Sequence, residues 1–247
     1  LEIRREGVQN DGLGDLLETS DIDLFWPDIK SWDNNRYTDW QEKLIGGTAY
    51  RNNAQLSVSG GGEATQFLVS GGYLKETTVF PGDANYRKAT LHTNVNHRSD
   101  NGKFKINLST DYAREDNRLP GADFTLQAYS LEPNAPALYD DEGNVNWENN
   151  TWDNPMAALE EKFRAKTHTF ISNALVSYEV LPELELRTSM GFTSYRLDTY
   201  LTNPSSARNP SFGLTPQSYS NLTSNASQRE SWIVEPQLNW KKSWEDF

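Results

Sequence analysis

Apolar and polar residues alternate along this chain with a two-residue period, in paired segments joined by connectors that are short, then long, then short. The pairs are 53–60 with 65–74, 86–97 with 103–113, and 167–178 with 183–195. Tight turns close each pair: Gly60-Gly61-Gly62-Glu63-Ala64, Arg98-Ser99-Asp100-Asn101-Gly102 and Glu179-Val180-Leu181-Pro182. Successive strand side chains point to opposite faces, so alternation of this kind predicts strands that are apolar on one side only. In 103–113 one face carries Phe104, Ile106, Leu108, Thr110 and Tyr112, and the other Lys105, Asn107, Ser109 and Asp111. In 183–195 the apolar set is Leu184, Leu186, Thr188, Met190 and Phe192. Near the C-terminus Trp232, Val234, Leu238 and Trp240 oppose Ile233, Glu235, Gln237, Asn239 and Lys241.

Hairpins with short turns at one end and long polar loops at the other predict an all-β fold. The expected form is an antiparallel up-and-down transmembrane β-barrel portion, with long extracellular loops and short periplasmic turns. An antiparallel sheet over an ordinary core produces the same alternation and stands as the alternative. Residues 1–20 are charged and suit a short helix. A second helical turn is expected after a Thr38 or Asp39 cap, and a third over 155–161 with Pro155 in its first turn. Two long connectors, 114–166 and 201–223, should emerge at one end. Connectors of such length are usually functional or disordered.

Composition narrows the classes. The chain has 247 residues, 36% of them apolar, with 8 Trp and 11 Tyr. Its mean hydropathy is -0.76. No run approaches the ~20 apolar residues of a membrane-spanning helix, whereas alternating strands dilute hydrophobicity without excluding a membrane sheet. A net charge of -12 argues against a nucleic-acid partner, which needs a basic face. There is no cysteine, hence no disulfide framework, thiolate zinc site or thiol nucleophile. The chain opens on Leu1-Glu2-Ile3-Arg4-Arg5 without an apolar leader and ends soon after a strand-like run. It reads as a piece of a longer polypeptide, with 1–45 preceding or entering the barrel and 46–247 forming its N-terminal part.

Candidate chemistry is sparse. His92 and His97, five apart in one strand, fall on opposite faces and cannot share a metal there. The glycines at 60–62 lack the lysine and helix of a phosphate loop. Asp140-Asp141-Glu142-Gly143-Asn144 lacks the order and the distal glutamate of a calcium loop. These features predict no metal, no cofactor and no enzyme. A carboxylate pair such as Glu142 with Asp153 would be required for glycoside hydrolysis, and its separation is not legible in sequence. The binding candidates are the aromatic residues of the long connector among Asp and Asn: Tyr129, Tyr139, Trp147 and Trp152, with Asp153. Ring faces stack on sugars while carboxylates and amides pair with hydroxyls. The competing role is to pin the loop to its own protein.

Several segments resemble a known family. Tyr37-Thr38-Asp39-Trp40-Gln41, then 53–61 (NAQLSVSGG), then 67–74 (FLVSGGYL), are similar to the start of the barrel in SusC/RagA-type TonB-dependent outer-membrane transporters. Asn154-Pro155-Met156-Ala157-Ala158-Leu159 and the turn Leu181-Pro182-Glu183-Leu184 resemble later segments of the same family. The resemblance runs from about Tyr37 to Trp240 and rests on order and spacing. It implies a piece of a barrel of about 22 strands in the bacterial outer membrane, taking up oligosaccharides or peptides. It also implies a SusD-like surface lipoprotein, the TonB complex and outer-membrane lipid as partners, and no chemistry on the substrate. The alternative is a soluble extracellular β-sandwich that binds carbohydrate or acts as an adhesin-like module.

Overall fold

A computed structural model of the chain describes residues 1–18 and 26–242. Helix α1 (Glu2–Asn10) is followed by the short α2 (Pro27–Lys30) and α3 (Trp40–Ile45). Asp39 caps α3, its side chain accepting from the Glu42 amide at 3.0 Å. Strands β1 (Arg51–Gly61), β2 (Thr65–Thr77), β3 (Asn85–Arg98) and β4 (Phe104–Asn117) come next. A long connector carries α4 (Thr125–Ser130) and α5 (Ala157–Glu160). It leads to β5 (Lys162–Leu181), β6 (Leu184–Asn203), α6 (Pro216–Tyr219) and β7 (Asn221–Trp240).

The seven strands form one antiparallel sheet in sequence order, β1 to β7. The meander places the connectors 118–161 and 204–220 at one end and the three tight turns at the other. Gly61 makes the first turn possible: its φ of +141° is open to glycine, and a Cβ there would collide with the Thr65 carbonyl oxygen.

The expected transmembrane barrel portion is corrected by this topology. β1 and β7 pair with one neighbour each and not with one another, so the sheet is open and no barrel is closed. Closure requires the two edge strands to share hydrogen bonds. Six interstrand spacings of ~4.8 Å instead put the edges roughly 29 Å apart along the sheet. Among the described residues no helix is long and apolar enough to cross a membrane. The strands also run further than alternation foretold, and the connectors are shorter. β5, β6 and β7 each have 20 residues, with β7 beginning at Asn221. At the connector end the face of Phe104 and Leu108 turns to charged residues such as Arg114 and Asp116, while Phe163, Leu197 and Leu201 sit on the other face, so backbone pairing continues where the one-sided pattern is lost.

Register aligns the apolar sets on one face. Phe104, Tyr178, Leu186 and Leu238 share a row, as do Leu108, Ala174, Met190 and Val234. Val95 joins the Leu108 row, Phe67 pairs with Val95, and Leu56 and Val58 extend the face to the β1 edge. Over the first four strands the opposite face carries a polar row, Ser57, Ser70, His92 and Asp111 in register, which meets Ile171 on β5. The buried core lies elsewhere. Trp32, Trp40, Leu44, Phe124, Ala128, Ala135, Trp152 and Met156 pack together from the segment before β1 and the connector after β4.

Candidate functional site

The two long connectors meet over a cleft of about 720 Å³. One wall is built from a miniature hairpin. Tyr139 bridges Val145, and Asp140 closes the turn by accepting from the Glu142 and Asn144 amides at 3.0 and 2.8 Å. The Asn144 amide, then its side chain and the neighbouring amides, holds the Asp140 carboxyl below the usual carboxylate range. Gly143, at φ +84°, completes the turn. The acidic run is therefore a hydrogen-bonded turn, and among the described residues no group of three acidic or histidine side chains is arranged to hold a metal ion.

Beyond Trp147 the backbone does something unusual. Glu148, Asn149 and Asn150 lie at φ +40°, +54° and +71°. Asparagine tolerates the left-handed region, but glutamate does so at a cost. Such conformations persist only where the surroundings hold them, and they concentrate at functional sites. The clamp here is specific. Asn146 Oδ1 accepts from the Glu148 amide at 2.9 Å, and Trp152 Nε1 donates to the Asn146 carbonyl at 2.9 Å. Asn154 Nδ2 donates to the carbonyls of Leu138 and Asn146 at 2.7 and 2.8 Å.

The second connector supplies the other wall through Ser205, Ser206 and Arg208. Arg208 Nη2 donates to Glu161 at 2.6 Å and its Nε to the Tyr219 hydroxyl at 2.6 Å, with the guanidinium 5.3 Å over that ring. Ser206 donates to Glu160 at 3.3 Å. Burial, and then the charge of Glu160, pushes the Tyr139 phenol up from its ordinary range. The walls thus combine two ring faces, several amides and a guanidinium, which suits hydrogen bonding to a polar, ring-bearing ligand.

The sequence-derived candidates divide. Tyr139 and Trp147 line the cleft. Trp152 is buried beneath it, its ring 6.3 Å from Trp32 and 6.1 Å from Trp40, and anchors the connector. Tyr129 on α4 is exposed, and so is Asp153; neither lines the cleft. Arg208, Ser206, Glu160 and Glu161 were absent from the sequence reading. One signal was available for Arg208: it is the sole charged residue between 203 and 220.

Comparison with known proteins bears on both the sequence and the sheet. No family model matches the chain. It is 28% identical over 170 residues to the TonB-dependent receptor P3 of Formosa agariphila, a match covering 64% of this chain and 17% of that receptor. The structure of the RagAB peptide importer in its closed-closed state superposes with a TM-score of 0.65 at 20% identity, covering 94% of this chain and 28% of that one. The open-open state gives 0.65 at 19% identity, over 92% and 27%. The chain thus spans less than a third of the length of each of these relatives. By sequence and fold together, it is related at the family level to the TonB-dependent receptors and RagA/SusC-type transporters.

Proposed function

We propose that this chain is a substrate-contacting module of a TonB-dependent uptake system at the bacterial outer membrane, handling oligosaccharide or peptide nutrients without chemical change. The observation that carries the reading is the cleft between the two long connectors. Tyr139 and Trp147 stand there beside Asn144, Asn146 and Arg208, on a backbone held in left-handed geometry at 148–150. The family-level relation supplies the class of system, with a SusD-like surface lipoprotein and the TonB complex as partners and outer-membrane lipid beside the exposed apolar face. An open sheet of seven strands encloses no conduit, so the role assigned is contact with substrate and not a self-contained pore. That openness favours a second reading, an extracellular carbohydrate-binding or adhesin-like module, here with one sheet in place of the two of a sandwich.

Calorimetric titration with oligosaccharide and peptide panels tests the proposal. Trp147→Ala and Tyr139→Ala should each weaken binding of the preferred ligand about tenfold, a loss of ~1.4 kcal/mol, with the melting temperature unchanged. Absence of any ligand from both panels, or binding that survives both substitutions, would overturn it. Co-purification with a surface lipoprotein from the native membrane supports the uptake reading over the free-standing module.

A further inference from the structure

The cleft between the connectors does not stand alone. A second chamber of about 450 Å³ adjoins it, and Tyr139 and Glu160 line both spaces. The chamber is framed by the 81–84 loop between β2 and β3, by residues 118–120 after β4, and by the start of β5. Its volume lies within the ~300–1,000 Å³ of small-ligand pockets. The cleft presents amides and serine hydroxyls. The chamber presents apolar surface from Pro81, Leu119, Pro120, Leu159 and Phe163.

Beside that surface stand cations that the chain only partly neutralises. Arg118 and Arg164 both line the chamber, and both donate to the same carboxylate. Arg164 reaches Asp116 at 2.8 and 2.7 Å, and Arg118 at 3.4 and 3.2 Å. Two guanidiniums on one carboxylate leave a positive charge over, and each has more N–H donors than Asp116 occupies. The longer contacts belong to Arg118, whose side chain is 39% exposed. None of the other acids of the lining pairs with either guanidinium. Glu161 is bound to Arg208 at 2.6 Å, Glu160 accepts from Ser206 beside Tyr139, and Asp83 makes no ion pair among the described residues.

We propose that this chamber is a subsite for the C-terminal residue of a peptide whose preceding residues lie in the cleft. Its apolar side chain packs against Leu119 and Phe163, and its carboxylate accepts from Arg118. The proposal rests on the substrate-contacting reading above and names the substrate class. An oligosaccharide, even one with uronic acids, brings no apolar side chain beside its carboxylate. The last residue of a peptide carries both on one carbon. Guanidinium–carboxylate bonds are among the strong hydrogen bonds, and capture of a C-terminal carboxylate is a recurring mode of peptide recognition. The charge along the trough agrees in direction. Asp140 and Glu148 in the cleft walls have no cation partner among the described residues, so the cleft suits the amino end of a short peptide and the chamber its carboxyl end.

Calorimetric titration of the protein tests this with three probes: a tetrapeptide ending in phenylalanine, its C-terminal amide, and the same peptide ending in glycine. The free acid should bind about tenfold tighter than the amide, the scale of a hydrogen bond to a charged group. It should also bind about tenfold tighter than the glycine peptide, the scale of burying a large apolar side chain. Arg118→Gln should erase the preference for acid over amide and keep that for phenylalanine over glycine. Leu119→Ser should do the converse. Arg229→Gln, an equal charge change on β7, should keep both preferences, with circular dichroism verifying each fold. The unsubstituted protein decides the matter by itself where a variant does not fold. Failure to prefer the acid, or failure to prefer phenylalanine, overturns the proposal and leaves the cleft reading standing. Binding of oligosaccharides but of none of the peptides does the same. A preference lost equally in Arg118→Gln and Arg229→Gln also overturns it, because net charge would then be responsible. No binding of any peptide or oligosaccharide overturns both readings.

Discussion

Two regions of this protein treat apolar side chains in opposite ways. At the connector end a small cluster buries them: Phe124 is 1% exposed, and the rings of Trp32 and Trp40 are packed against Trp152. Even the polar edges of those rings are satisfied, with Trp32 Nε1 donating to Thr151 at 2.8 Å and Trp40 Nε1 to the Glu132 carbonyl at 2.7 Å. On the sheet the apolar residues stand open, with Trp232 at 77% and Leu56 at 74%. The cluster behaves as an ordinary globular core, in which removal of apolar surface from water drives packing. The sheet is held by its backbone ladder and leaves apolar side chains exposed on its face.

Substitutions should separate the two regions. The largest effect is expected in the core. Phe124→Ala removes a ring that meets Phe80 edge-on at 5.5 Å and should cost ~3–5 kcal/mol, read as a lowered denaturation midpoint. A cost below about 1 kcal/mol would mean that the cluster is not the stabilising centre. Next comes the sheet's own weak point. Gly61→Ala forces a Cβ into the Thr65 carbonyl at a left-handed φ and should cost ~2 kcal/mol or shift the β1–β2 register. Amide exchange of the first hairpin would report it.

A smaller effect concerns acid. The Arg164 guanidinium, bonded to Asp116 at two points and assisted by Arg118, holds the Asp116 carboxyl at about 2 instead of 3.8. A carboxyl depressed by folding favours the folded state while ionised. Its contribution is complete above about pH 4 and disappears as pH falls through about 2. Asp116→Asn should remove roughly 1 kcal/mol at neutral pH, given its partial exposure, and flatten the acid limb of a stability titration between those values. An unchanged acid limb would count against the pairing. The smallest effect is predicted for the open face. Leu56→Ser should change stability by no more than ~0.5 kcal/mol, read as an unchanged denaturation midpoint. A large stability loss there would mean that the face is covered within the chain, and the contrast between the regions would fall.

Sequence reasoning reached the sheet readily and the cleft only in part. Alternation at 103–113 and 183–195 identified strands and faces, because half-buried strands impose period two. The Asp39 cap was legible because capping is local; the helix expected over 155–161 with Pro155 in its first turn instead spans Ala157–Glu160, with Met156 at the N-cap and Pro155 before it. Strand ends at 114–117 and 196–203 were not legible, since Arg114, Asp116, Arg196 and Asp198 mark no apolar face, and only pairing with β5 and β7 reveals them. Trp152 and Trp147 look equivalent in sequence. Contacts with Trp32 and Trp40, more than a hundred positions away, put one in the core and leave the other in the cleft.

The amino-acid pattern alone determined that the chain is a meander of two-faced strands with tight turns at one end. These properties depend on neighbours a few residues apart: side-chain alternation, glycine at turns, and caps. Whether the sheet closes, which aromatic rings are buried, and the meeting of Arg208 with Glu161 were decided only by tertiary structure. Each depends on pairs far apart in sequence, brought together by register and packing that no local pattern encodes.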